Sequence, residues 1–206
     1  MKGTPHPYPA VGSERGRSKG ATFREFTRWV EMQYGHARLI EGWSRLPPPL
    51  QQLVNPRATA LGIEASAWYP SALPNRLLDA FLAGMSLEER SRVIREGTRH
   101  ALSRTFRGVY KFVFTAVMTP ERLAQHIQKI WDLHYDSGID VWTMKAPGHI
   151  ETRIEGWIGH HTNTCDILRE SSVVMLEMLG CHDVENRRVR CVGAGDPHCA
   201  GILTYR

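Results

Sequence analysis

The chain has no apolar run of the roughly 18 residues that a membrane-crossing helix requires, and no charged-then-apolar leader opens it. A cytoplasmic protein without a membrane span is the expectation. Also missing are a Ser-His-Asp arrangement, a phosphate-cradling glycine loop, a His-Glu-x-x-His helix and carboxylates paired at a useful spacing. The sequence therefore leans away from an enzyme. Charge of one sign is scarce in the body of the chain. Of the net +5, more than half lies in residues 1–22, where Lys2, Arg15, Arg17 and Lys19 face only Glu14. Nucleic acid is not an expected partner on that count. Cysteine is sparse as well: four residues, none before Cys165.

What is present suits one domain. In 206 residues with 42% hydrophobic composition a single sizeable core is expected. Residues 1–22, rich in proline and glycine and without apolar periodicity, read as a flexible basic tail. Residues 23–85 read as a helical N-terminal segment. Thr22 with Glu25 has capping-box spacing, and Phe23, Phe26, Val30 and Tyr34 then recur at helical intervals up to Gly35. A second helix follows from His36 to about Arg45. Residues 50–75 hold scattered prolines and are read as a loop or one short strand, before a helix that starts near Pro74.

Residues 86–206 form the second part of the same compact unit. Ser86 and Glu89 open the longest helical pattern, reaching about Met118. Gly97, Ala101, Thr105 and Gly108 make a stripe of small residues on one of its faces, where another backbone can approach. Thr119-Pro120 starts the next helix. Alternation over 139–144 and 150–154 around Pro147-Gly148 reads as a β-hairpin, a helix runs from about Thr162 to Leu179, and two strands, about 183–192 and 199–205, close the chain. The fold class expected is α+β: a helical bundle packed on a small antiparallel sheet.

Cys191 and Cys199 flank the turn Gly193-Ala194-Gly195-Asp196-Pro197, so their side chains converge. A helix from Cys165 to Gly180 is about 23 Å long, and the following strand spans about 30 Å. If that strand folds back along the helix, Cys191 returns to Cys165 while Cys181 stays at the far end. Cys165, Cys191 and Cys199 are thus a candidate three-thiolate metal cluster. Its fourth ligand would be His161, one helical turn before Cys165, or His198 in the turn. Zinc is the ion that suits such a donor set in a reducing compartment.

The stretch Cys165–x25–Cys191–x7–Cys199, closing in Cys191-Val-Gly-Ala-Gly195-Asp196-Pro197-His-Cys199, resembles the 4-vinyl reductase domain. That domain also forms the sensor region of phenol- and xylene-responsive activators. The fold is similar to Golgi transport subunits of the TRAPP complex and, more distantly, to haem–nitric oxide domains. The helical opening is similar to that of uncharacterised myxobacterial proteins. The resemblance implies a structural zinc held by Cys165, Cys191 and Cys199, although the glutamate that completes the site in the sensors is Arg188 here. It also implies an apolar cavity between the long helices and the sheet. Phe106, Tyr110, Phe114, Trp131, Tyr135 and Trp142 are its candidate lining, with His126 as a polar contact. Haem–nitric oxide domains use Tyr-x-Ser-x-Arg; the nearest match, Tyr69-Pro70-Ser71-Ala72-Leu73, lacks the arginine. The function expected is a non-catalytic small-molecule-binding or sensory domain, taking a small apolar or aromatic ligand and working as a homodimer. The alternative is an interaction scaffold that dimerises along Gly97–Gly108.

Overall fold

Phe26, Trp29 and Val30 recur at helical spacing and give helix α1 (Arg24–Tyr34) one buried face. Gly35, at φ 81, breaks the chain before α2 (His36–Ser44), and a short α3 (Pro48–Gln51) begins on consecutive prolines. With α4 (Ala72–Leu82) these helices enclose a first core built on Leu39, Leu61, Leu73, Leu77 and Phe81. The computed structural model describes residues 16–106 and 116–206.

Residues 17–19 depart from the expected tail of residues 1–22, whose residues 1–15 lie outside the described residues. Arg17–Lys19 is a strand, β1, paired antiparallel with β2 (Trp68–Pro70). Asp136 fixes it from the far side, accepting the N–H groups of Gly16 (2.9 Å) and Arg17 (2.6 Å) and the Arg17 Nε (2.8 Å). Three residues without apolar alternation carry no strand signal of their own; distant partners hold them. Nor does Thr22 cap α1. Its hydroxyl donates to the Lys19 carbonyl at 2.7 Å, and the N-cap position falls to Phe23 without a side-chain cap.

Helix α5 (Leu87–Thr105) starts on the expected capping box: Ser86 Oγ accepts the Glu89 N–H, and the Glu89 carboxylate accepts the Ser86 N–H. A Cβ on Gly97 would sit 2.4 Å from the Phe26 ring, so that glycine admits α1 of the same chain. The N-terminal end of the small-residue stripe is therefore filled from within and is no free dimer face, while Gly108 lies outside the described residues. Thr119 caps α6 (Pro120–Asp132), accepting the Arg122 N–H.

The remaining elements are β3 (Ile139–Ala146), β4 (His149–Glu155), α7 (Thr162–Met178), β5 (Glu185–Arg190) and β6 (Cys199–Thr204). The four strands form one antiparallel sheet in the order β3-β4-β6-β5. Both hairpins stand where alternation and turn residues predicted them. Leu123, Ile127, Trp142, Ile150, Leu176 and Leu203 make a second core between the helices and the sheet. The class is α+β. Helix α5 packs on both α1 and α7, joining the two cores, and Arg99 on α5 reaches Glu177 (2.6 Å) and Glu170 (2.9 Å) on α7. None of the described helices is long and apolar enough to cross a membrane.

Candidate functional site

The sheet register decides which side chains meet the helices. On β3, Asp140 and Trp142 are buried, whereas Ile139 is 55% exposed. Asp140 stands opposite Ile154 and Trp142 opposite Thr152 on β4; these in turn stand opposite Cys199 and Gly201 on β6. Above this face lies a cavity of about 190 Å³, walled by α5, α6, α7 and the sheet. Phe106, Trp131, Tyr135 and Trp142 line it as expected. Tyr110 and Phe114 lie outside the described residues. His126 is exposed on α6 and does not line the cavity, because the buried face of α6 is set by Leu123, Ile127 and Trp131.

Two polar residues that no sequence motif marks also line it. His134 follows α6; burial and the nearby Lys19 charge lower its pKa, and its Nδ1 is buried without a partner. Asp140 is buried at 8% exposure, with Oδ1 unpartnered. Burial pushes its carboxyl up to about 7, against the Trp142 indole N–H, which favours the anion. Next to them Trp131, Tyr135 and Trp157 form a ring cluster with centroids 4.4 to 5.3 Å apart.

The thiol cluster lies beside the same cavity, whose lining includes Cys165 and Cys199. Cys165, Cys191 and Cys199 are 4%, 3% and 5% exposed, and Cys181 stays apart, packed in the second core. The fourth ligand atom comes from His160: one donor atom from each of His160, Cys165, Cys191 and Cys199 lies within 4.8 Å of all the others. Counting one helical turn back from Cys165 points to His161 instead, but the helix starts at Thr162. His161 is its extended N-cap (φ -151, ψ 141), so neighbouring side chains diverge. His161 turns to Asp79 on α4 (3.2 Å), while His160 Nε2 sits 3.6 Å from Cys191 Sγ. His198 is not part of the cluster.

Within the cluster the thiols share protons. A Cys191 hydrogen bond favours the Cys165 anion, but donation to Cys199 and burial outweigh it and push Cys165 up to about 12. Hydrogen bonding to Cys165 and burial push Cys191 up to about 12 as well. Cys199 moves down, chiefly because Cys165 donates to it. Arg188, standing where the sensor domains carry glutamate, is no ligand; it pairs with Asp166 beside the cysteines. Gly193 lets the closing turn approach α7: a Cβ there would sit 2.4 Å from Thr162 Oγ1.

No protein-family model and no curated protein matches the chain. Solved structures do. An Fe(II) unliganded H-NOX protein from K. algicida superimposes with a TM-score of 0.63 at 13% identity, covering 91% of this chain and 96% of that one. The fold is of the H-NOX type. An H-NOX protein from S. oneidensis in the Fe(II)NO ligation state gives 0.59 at 12% identity over 91% and 99% of the two chains. A structure from a study of heme distortion in the H-NOX family gives 0.62 at 10% over 91% and 95%. The resemblance to 4-vinyl reductase and TRAPP proteins is thereby overturned. It rested on one cysteine hairpin, whereas the H-NOX match runs through nearly all of the chain. Zinc as the expected cofactor is overturned too: the matched H-NOX structures name Fe(II) and heme instead.

Heme does not fit the described residues of this chain. A cavity of about 190 Å³ is below the roughly 300–1,000 Å³ of drug-sized pockets, and a tetrapyrrole is larger than most drugs. Tyr69 and Ser71, the nearest match to the H-NOX motif, sit in the first core. The Tyr69 hydroxyl accepts the Glu64 N–H at 3.0 Å, and Ser71 Oγ bonds Ser18 Oγ at 2.7 Å.

Proposed function

We propose that this chain is a non-catalytic, sensory type of small-molecule-binding domain, and that its ligand is a small molecule with an apolar body of one or two rings. The observation that carries this reading is the aromatic-walled cavity between α5, α6, α7 and the sheet, in a fold whose solved relatives include a protein caught with NO. Trp131 and Trp142 line the cavity, so small aromatics should quench or shift tryptophan emission on titration. Ala101→Trp, which fills the space from α5, should abolish that response while leaving the far-ultraviolet circular dichroism unchanged. Undiminished binding by the filled variant would refute the site.

A second reading rests on the cluster alone. Three thiols and an imidazole within 4.8 Å form a soft donor set, and we infer that His160, Cys165, Cys191 and Cys199 bind a thiophilic cation. Loading must expel the protons held by Cys165 and Cys191, so proton release should accompany binding. Titration of the reduced protein with Co(II) should give thiolate charge-transfer bands. Cys191→Ser and His160→Ala should weaken them, and Cys181→Ser and His161→Ala should not. Equal loss in all four variants would refute the assignment.

A further inference from the structure

The cavity is not uniformly apolar, and its charged groups are sorted by position. Asp140 lies on β3 at one edge of the sheet; Arg188 and Arg190 lie on β5 at the other. At the β5 end Arg188 and Arg169 share the one carboxylate of Asp166 and each keeps a buried, unpartnered Nε, while Arg190 is exposed. The β3 end carries the opposite charge. The Asp140 backbone N–H is held by Gln128 Oε1 at 2.7 Å, which fixes the residue where α6 meets the strand. Its carboxylate is beside the Trp142 indole, yet Oδ1 has no partner and no cation of the described chain forms an ion pair with it. A buried acceptor left unmatched costs on the order of 1–3 kcal/mol, more for a charged one. Tyr135, lining the same wall, is close enough to feel the Asp140 charge. His134, the preceding residue, adds a buried, unpartnered nitrogen, Nδ1.

From this juxtaposition we infer that the cavity takes a small aromatic or aliphatic amine, its ammonium group received by Asp140 at the β3 end and its apolar body lying among Trp131, Trp142 and Phe106. The inference rests on the ligand-binding reading above and names the ligand's chemistry. An ammonium carries three donors, which suits an unmatched carboxylate oxygen, and aromatic faces beside a carboxylate add cation–π attraction. A ligand of the same shape with a carboxylate in that position would meet the Asp140 charge and be repelled.

The test is calorimetric titration of the full chain at pH 8 with three probes of like shape: 2-phenylethylamine, 2-phenylethanol and phenylacetate. The amine should bind about tenfold or more tightly than the alcohol, a difference of about 1.4 kcal/mol. Phenylacetate should bind least. Asp140→Asn should erase the amine's margin over the alcohol. If the alcohol binds as well as the amine, or the acid binds best, or Asp140→Asn keeps the margin, the Asp140 inference is overturned while the cavity stands. If none of the three binds, the cavity reading fails, and this inference with it.

Discussion

The burial of Asp140 makes a stability prediction that needs no ligand. The carboxyl has an ordinary value of 3.8 in the unfolded chain and about 7 in the folded one. Between those values the folded protein holds a proton that the unfolded chain has lost, so stability falls as pH rises from about 4 and levels off above about 7. A carboxyl raised that far loses about 4 kcal/mol of stability on ionising, an upper bound because water can enter around the charged group. Asp140→Asn keeps the shape and removes the charge. In urea unfolding at pH 5 and pH 8, the variant should gain on the wild type with pH. Its margin over the wild type should grow by about 2–3 kcal/mol between pH 5 and pH 8. Comparing the two proteins at each pH removes the opposite slope contributed by His134 and His160, whose pKa values are lowered by burial. A wild-type–variant difference that is the same at both pH values would show that Asp140 is not desolvated in solution. The same substitution is expected to stabilise the chain and to weaken amine binding, the trade-off of a site held at a cost to folding.

Other perturbations probe the frame around the cavity. Gly97→Ala drives a methyl into the Phe26 ring and should cost about 1–3 kcal/mol in urea unfolding, with part of the loss recovered by adding Phe26→Leu. Additive losses would mean that the two do not touch. Asp136→Ala removes three hydrogen bonds from Gly16 and Arg17 and should raise amide exchange across residues 16–19 before any global unfolding. Unchanged exchange would refute the tether. Ser86→Ala breaks the capping box of α5 and should lower stability by about 1 kcal/mol, whereas Thr22→Ala, at a position that caps no helix by its side chain, should cost α1 no cap energy.

Much of the architecture was legible because glycine and proline punctuate it. Gly35, the Ser86 box, Thr119-Pro120 and the two turns mark boundaries that follow from local chemistry. The cysteine triad was legible too, since a helix and a returning strand of known rise bring Cys191 back to Cys165 and leave Cys181 behind. The fourth donor was not. It depends on whether position 161 lies inside the helix or caps it, and a one-residue difference swaps which of two adjacent histidines faces inward. Asp140 was hidden for a similar reason. Along β3 both faces carry apolar residues, Ile139 and Val141 on one and Trp142 on the other, so alternation alone does not say which packs on the helices. Strand β1 left no trace in composition, because Arg17-Ser18-Lys19 is held by residues about fifty positions away or more. The cysteine hairpin misleads about family because a short motif can recur on different folds, whereas the order of elements along the whole chain is of the H-NOX type.

Strand β1 also reaches the ligand wall. The Lys19 N–H donates to the His134 carbonyl at 2.8 Å, and Ser18 bridges Tyr135, so residues 18 and 19 clamp the turn that carries both cavity residues. A shortened chain begun at residue 23, trimmed as though the opening were dispensable, would lose that clamp and present a loosened binding wall. Affinities measured on such a fragment would describe the cut rather than the protein, and whatever is fused ahead of Gly16 pulls directly on the turn that greets the ligand.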